Sequence, residues 1–301
     1  MKLKATLSVL LTGLLAAAAL ATAPAQAQEQ LTGTLAKARE SGAIAIGYRE
    51  SSVPFSYLNA RKEPIGYSIE LCRALVTAIE DTVNKSLAIK WVPVTSDSRI
   101  DAVASGKVDL ECGSTTSNLE RQKRVSFSPT IFVSGTKVLV KKGAPIKSFR
   151  DLAGKKVAVT AGTTNEKTLR DLSEKFKLGI NLQVARDHAE SFGLVKSGQA
   201  DAFATDDVLL YGLIAKDAAK ADYEVVGDFL SYDPYGIMYR KGDAQLNKVV
   251  VDTFQVLAED GEIERQYKRW FLRKLPSGES INLPMSAQLE TIIQTMSVKA
   301  E

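Results

Sequence analysis

The sequence predicts an α/β protein of two lobes, each a mainly parallel sheet flanked by helices, with the lobes joined by a two-strand hinge. Three observations carry this. Short apolar strands alternate with segments of helical period in two successive series. Two β-rich stretches, Ile131 to Lys141 and Tyr235 to Tyr239, stand where the chain would leave the first series and return to it. Finally, Val103-Ala-Ser105-Gly106-x-x-Asp109 recurs 92 residues later as Val195-Lys-Ser197-Gly198-x-x-Asp201, with Gly placed to end a helix and Asp to open a strand. The expected division is 28–134 plus 236–301 for one lobe and 135–235 for the other.

In order, Ala43 to Tyr48 reads as a short buried strand that runs into the polar loop Arg49-Glu50-Ser51-Ser52. Phe55 and Tyr57 follow, placed either to cover a ligand or to pack in the core. Pro64-Ile65-Gly66 is a turn, and Ser68 to Val83 carries Ile69, Cys72, Leu75, Val76 and Ile79 at helical spacing. A strand at Leu87 to Val94 ends in Thr95-Ser96-Asp97-Ser98-Arg99, a hydroxyl-rich helix start with an arginine behind it. Val103 to Cys112 then leads into Glu111 to Arg124, where Ser117 and Glu120 have capping-box spacing and set a helix start near Asn118. Backbone N–H groups of the Gly113 to Thr116 turn would form an anion site there, with Arg121 one helical turn in.

The second series repeats the plan. Lys156 to Thr160 is a strand, Thr163 and Glu166 cap a helix over 164–176, and Leu182 to Ala185 is a strand. His188 to Ser197 is a helix and Ala202 to Thr205 a strand. Five residues after Asp109 comes Ser114, and five after Asp201 comes Asp206, so each lobe aims one polar side chain into a shared cleft from equivalent positions. Asp207 is expected in the first turn of the next helix, facing away from the cleft. Asp243 to Leu272 reads as two core-packing helices, with Leu246, Val250, Phe254 and Leu257 on one and Ile263, Tyr267, Trp270 and Phe271 on the next.

Lys2 and Lys4, an apolar run from Leu7 to Leu20 and Ala25-Gln26-Ala27 form a signal-peptide pattern, with cleavage expected after Ala27 and a soluble, exported product in the periplasm. Removing Lys2 and Lys4 from the 39 basic residues leaves 37 against 35 acidic ones, a net of +2 that offers no case for nucleic acid. One histidine and two cysteines offer no metal-ligand cluster, and no cofactor is expected. In an oxidising compartment Cys72 and Cys112 are expected to pair, the alternative being two buried thiols that pack as small hydrophobes.

GYRESSVPFSY at 47–57, TSDSRI at 95–100, ECGSTTSNLERQK at 111–123, TAGTTNE at 160–166, RDHAESF at 186–192 and TDDVLL at 205–210 together resemble the periplasmic solute-binding proteins of amino-acid ABC transporters, within them the glutamate/aspartate-binding branch. The resemblance covers nearly the whole chain after Ala27. It implies the type II periplasmic-binding-protein fold, a monomer closing on L-glutamate or L-aspartate by hinge motion, and delivery to membrane permease subunits. Position by position it implies that Arg121 and Thr116 hold the ligand's α-carboxylate, that Ser114 and Asp206 receive its ammonium, and that Arg49 and Arg99 meet its side-chain carboxylate. Ser96, His188, Thr163 and Thr164 would assist there. Three arginines against Asp206 would leave about two positive charges in excess, which favours a ligand of net negative charge over its neutral amide. The protonation state of the lone His188 stays open, because neighbouring arginines and a bound carboxylate act on it in opposite directions.

Two rival readings stand beside this one. Some exported members of this fold, such as cyclohexadienyl dehydratase, are catalytic, and Glu50 or Glu111 would then be the acid. A sensory ligand domain is the other, although with no membrane span read after it the chain would act as a diffusible partner. A binding protein for another amino acid is also compatible with the fold.

Overall fold

The computed structural model describes residues 30–298. The expected signal peptide and its cleavage point lie outside the described residues. Helix α1 (Gly33–Ser41) precedes strand β1 (Ala43–Tyr48), which pairs in parallel with β5 (Ala88–Pro93) and β6 (Leu110–Glu111). Between β1 and β5 lie β2 (Ser51–Ser52), β3 (Ser56–Leu58) and β4 (Pro64–Ile65), a small antiparallel sheet, and the long helix α2 (Tyr67–Val83). The buried face of α2 includes Ile69, Cys72, Leu75, Val76 and Ile79, the positions that the helical period marks. Helix α3 (Arg99–Ala104) links β5 to β6, and the one-turn helix α4 (Leu119–Gln122) leads to β7 (Val125–Phe127).

The stretch from Ile131 to Lys141, read as one β-rich segment, is two strands in different sheets. Among the described residues β8 (Phe132–Ser134) pairs only with β14 (Asp233–Tyr235), and β9 (Thr136–Lys141) joins the second sheet. The second stretch divides likewise, into β14 and β15 (Met238–Arg240), and β15 joins the first sheet. A local pattern marks extended backbone but not its partner, so the exchange of partners at residues 135 and 236–237 has no sequence signature.

The second sheet is built from β10 (Lys156–Thr160), β11 (Asn181–Ala185) and β12 (Ala202–Asp206) in parallel, then β9 and β13 (Tyr223–Val226) antiparallel. Helices α5 (Thr164–Lys175), α6 (His188–Lys196) and α7 (Asp207–Lys216) connect them. Strand orders β5-β1-β6-β15-β7 and β11-β10-β12-β9-β13 are the same plan: three parallel strands, then an antiparallel strand that enters from the β8/β14 ribbon. The repeated motif does the same work twice. Gly106 and Gly198 adopt φ of +75° and +76° after α3 and α6. Asp109 Oδ2 then accepts from Ala45 N–H and Asp201 Oδ2 from Lys156 N–H, both at 2.8 Å, fastening each following strand to its sheet.

Helices α8 (Ala244–Glu259), α9 (Glu262–Tyr267) and α10 (Ala287–Met296) complete the chain. Leu246, Val250, Phe254, Ile263, Tyr267, Trp270 and Phe271 are buried as expected, while Leu257 is half-buried. Phe55 and Tyr57 resolve as core. Phe55 meets Tyr67, Phe132, Tyr235 and Phe271 with ring centroids 5.0–6.0 Å apart, an aromatic cluster beneath the ribbon. Tyr57 packs edge-on to Trp270 at 6.2 Å.

Cys72 and Cys112 form a disulfide, with both residues buried. It ties α2 to the loop after β6, and Ser68 Oγ adds a 2.7 Å bond to Gly113 O beside it. The bridge closes a loop of 40 residues, for which chain entropy alone gives roughly 4 kcal/mol. Replacing both cysteines by Ala should therefore lower the unfolding free energy by about 2–4 kcal/mol in urea titrations of the oxidised protein. Unchanged midpoints would show that α2 holds the loop without the bridge.

Candidate functional site

The carboxyl ends of β1, β5 and β6 face those of β10 and β12, and the loops that follow them carry the polar residues. From the first lobe come Arg49, Ser96, Arg99, Ser114, Thr116 and Arg121, all buried. From the second come the buried Thr163, His188 and Asp206 and the half-buried Thr164.

Three guanidinium groups are buried here, and among the described residues none has a carboxylate within ion-pairing distance. Arg49 is 1% exposed, and neither its Nη1 nor its Nη2 has a hydrogen-bond partner. Arg99 donates from Nη1 to Ser114 O at 3.3 Å, while its Nε is unpartnered. Arg121 donates from Nη1 to Thr116 O at 2.9 Å and from Nη2 to Gly162 O, on the opposite lobe, at 3.1 Å. Burial and the charge of Arg99 pull Arg49 and Arg121 down to about 9, so both stay charged at neutral pH; burial lowers Arg99 too. The Ser96 and Ser114 hydroxyls are buried without partners beside them. Five donors and hydroxyls left unmatched in one region are suited to an anion with several acceptor oxygens.

His188 lies behind this cluster, its Nδ1 2.9 Å from Thr160 Oγ1. Burial, then Arg49 and Arg99, hold it well below the usual histidine range, so the imidazole is neutral. Asp206 sits at the end of β12. Its Oδ1 accepts from Asn165 Nδ2 at 2.7 Å and its Oδ2 from the Tyr235 hydroxyl. Burial, then the charge of Asp233, push it up to about 7 against those two hydrogen bonds.

The lobes touch directly at this level. Gly162 has φ of +71°, and a Cβ there would lie 2.6 Å from Asp97 Cα of the other lobe, so a side chain would hold the cleft apart. Thr116 and Thr164 Oγ1 atoms stand 3.4 Å apart across the same gap.

Residues 44–273 match the family of bacterial extracellular solute-binding proteins, family 3. The chain belongs to that family. A protein of Pseudomonas aeruginosa named L-glutamate/L-aspartate-binding protein is 46% identical over 286 residues, 94% of each chain. The glutamate/aspartate import solute-binding protein of Salmonella typhimurium is 43% identical over 269 residues, 89% of each. Among solved structures, an ancestral arginine-binding protein bound to arginine superposes with a TM-score of 0.69 at 30% identity, covering 76% of this chain and 98% of that one. An ancestral amino acid-binding protein described as a precursor of cyclohexadienyl dehydratase gives 0.68 at 32%, covering 79% and 99%. The fold is thus the two-lobed one of this extracellular solute-binding family, as expected.

Within this solute-binding frame, several local expectations are revised. Asn118, not Ser117, caps α4: its side chain accepts from Arg121 N–H at 2.9 Å, and the helix is a single turn. The Ser117 hydroxyl instead accepts from Gln122 Nε2, so the expected capping box does not form. Thr163 does cap α5, accepting from Glu166 N–H while donating to Thr160 O, but Glu166 reaches back to Gly162 N–H. With its one O–H donor given to Thr160 O, Thr163 can donate to a ligand carboxylate only from its backbone. Asp207, by contrast, lies in the first turn of α7 as expected, where it accepts from Ser134 Oγ of the ribbon at 2.6 Å.

Residue patterns missed four contributors: Glu111, Asn165, Asp233 and Tyr235. Glu111, the acid of the catalytic alternative, is fully buried, and its Oε2 accepts from Thr115 Oγ1 at 2.7 Å. A Cβ on Gly113 would collide with Glu111 Oε1 and stand 3.0 Å from Arg49 Cγ, so glycine there lets the two charged stems converge. Asp233 is 1% exposed and accepts from Thr116 and Thr164. Glu111 closes a short buried strand, and Asp233 opens β14, two residues before the β-rich stretch read from Tyr235; a charged residue in a buried strand is itself a signal. They correct the charge count: with every group ionised, three arginines face three carboxylates, so there is no excess of two. Preference for an acidic ligand must rest on where unpaired donors point.

Asp206 sets a pH signature for the ligand-free protein. Its folded value of about 7 lies above the ordinary 3.8, so between these values the folded state binds more protons than the unfolded state. Its contribution to stability therefore declines as pH rises through that window and levels off above about 7. Asp206→Asn should flatten the decline and stabilise the ligand-free protein by on the order of 1–3 kcal/mol at pH 8 relative to pH 5, read by urea unfolding at both.

Proposed function

We propose that this chain captures L-glutamate, L-aspartate or both by closure of its lobes, and delivers the amino acid to an ABC importer. The single observation that carries the ligand class is the buried Arg49 guanidinium, whose two terminal nitrogens lack hydrogen-bond partners among the described residues, beside Arg99 with a further unmatched donor. In this reading Arg49 and Arg99, with Ser96 and the neutral His188, take the side-chain carboxylate. Arg121 and Thr116 take the α-carboxylate, the Thr163-Thr164 turn assists at the side-chain carboxylate, and Ser114 and Asp206 accept from the ammonium. The naming of the Pseudomonas aeruginosa and Salmonella typhimurium relatives supports the same ligands and the import role.

The proposal includes export to the periplasm with cleavage after Ala27, a monomer, and lobes extending over 28–134 plus 236–301 and over 135–235. Neutral His188 acts as a donor or acceptor and adds no charge. A dehydratase-like role would need a positioned acid. Glu111 already accepts from Thr115 and Glu50 is exposed, which favours binding over catalysis.

The test is calorimetric titration of ligand-stripped protein with glutamate, aspartate, glutamine and asparagine. The acids should bind one to one and the amides far more weakly, because an unsatisfied buried guanidinium costs on the order of 2–5 kcal/mol. Arg49→Met should remove most of the difference between acid and amide while the protein stays folded. Equal binding of acids and amides by the wild type would overturn the assignment of Arg49, and conversion of the added amino acid on incubation would reopen the enzymatic reading.

A further inference from the structure

Asp233 lies outside the proposed ligand contacts, yet more side chains converge on it than on any ligand-contacting residue described above. It stands on β14, one of the two strands joining the lobes, and is 1% exposed. Its Oδ1 accepts from Thr116 Oγ1 of the first lobe at 3.1 Å and from Thr164 Oγ1 of the second at 2.8 Å. Its Oδ2 accepts from Ser231 Oγ, which also accepts from Thr136 N–H at 2.9 Å and contacts Thr136 Oγ1 at 2.7 Å, at the point where β9 enters the second sheet.

The two sides of this hub differ. On the first-lobe side, backbone bonds already hold the ribbon: Ser117 N–H donates to Pro234 O at 2.7 Å, Gly236 N–H to Thr115 O at 3.1 Å, and Thr116 bridges Tyr235. These bonds join neighbouring backbone segments and do not depend on the position of the second sheet. Thr164 is the first residue of α5, and its bond to Asp233 exists only where α5 is brought against the ribbon. Asp233 is thus an acceptor fixed to one lobe and the hinge, engaged by the other lobe on closure.

We propose that Asp233 is a closure latch: a positioning residue that holds the lobes together around the ligand through Thr164 without touching the ligand. This rests on the binding role proposed above. A carboxylate suits the task, because ionised acceptors make stronger hydrogen bonds and its Oδ1 takes two hydroxyls at once. When the lobes part, the Thr164 hydroxyl and the freed side of the carboxylate are rehydrated, so the latch biases closure without making it irreversible.

The experiment follows binding and release of L-glutamate and L-aspartate by stopped-flow tryptophan fluorescence in wild type, Asp233→Ala, Asp233→Asn and Thr164→Val. Asp233→Ala should raise the dissociation rate roughly tenfold or more, leave association within about twofold, and leave the glutamate-to-aspartate affinity ratio unchanged. Asp233→Asn keeps an acceptor oxygen and should fall between; it also serves if the alanine variant does not fold. In a Thr164→Val background Asp233→Ala should add little, since the latch acts through that hydroxyl. An unchanged dissociation rate, additive effects, or an altered affinity ratio would overturn the latch.

A spin-label pair at Glu120→Cys and Lys167→Cys, exposed positions on opposite lobes, separates the two proposals. If the wild type bound neither acid, the ligand reading would fail. The latch would then be judged in the ligand-free protein, where Asp233→Ala must deplete the short inter-label distances of the wild type; equal distributions would overturn it.

Discussion

Everything in this molecule is arranged around the burial of three guanidinium groups without an ion pair. Taking a charge out of water costs several kcal/mol unless hydrogen bonds or counter-charges replace the hydration. Arg99 and Arg121 recover part of that through the carbonyls of Ser114, Thr116 and Gly162, whereas the Arg49 terminal nitrogens have no hydrogen-bond partner among the described residues, and the charges of Glu111 and Asp187 offset only part of the cost. The lowered pKa of Arg49 and Arg121 and the neutral His188 are consequences of the same crowding. A ligand carboxylate is a direct way to relieve it, which is why the unpaired donors are proposed as the binding device.

Two copies of one sheet plan supply the rigidity this requires. In each, an aspartate at the start of the third parallel strand clamps the central strand through its backbone N–H, and the chain then runs five residues to the site. The copies diverge at that point. Ser114 is a neutral hydroxyl and Asp206 a carboxyl group whose pKa is raised by burial and then by its neighbour Asp233, so the equivalent places differ in charge and chemistry. A symmetric scaffold thereby presents an asymmetric site, as an amino acid with an ammonium and carboxylates demands.

The connecting ribbon is the third component. Beneath it the rings of Phe55, Tyr67, Phe132, Tyr235 and Phe271 form an apolar pad, and above it Asp233 and Tyr235 present polar groups to the site. Tyr235 serves both sides: its ring packs in the pad while its hydroxyl donates to Asp206. Small changes in the ribbon are thus coupled to the site's electrostatics as well as to the lobe angle.

By itself the sequence determined what depends on neighbours along the chain. The helical period of α2, the alternation of β1, the Thr163 cap and the twin Ser-Gly-x-x-Asp turns are local, and they were legible because local backbone preference and burial agree there. The ten proposed ligand residues were reached through the family resemblance that the combined motifs carry, and the structure gathers them at the facing edges of the two lobes. What only tertiary structure decided is partner choice and counter-charge. Extended stretches divided between the ribbon and the two sheets, and Glu111 and Asp233 turned from scaffold into members of the site. The reason is physical: strand pairing and the balance of buried charge are set by groups far apart in sequence, and short-range spacing carries no record of them.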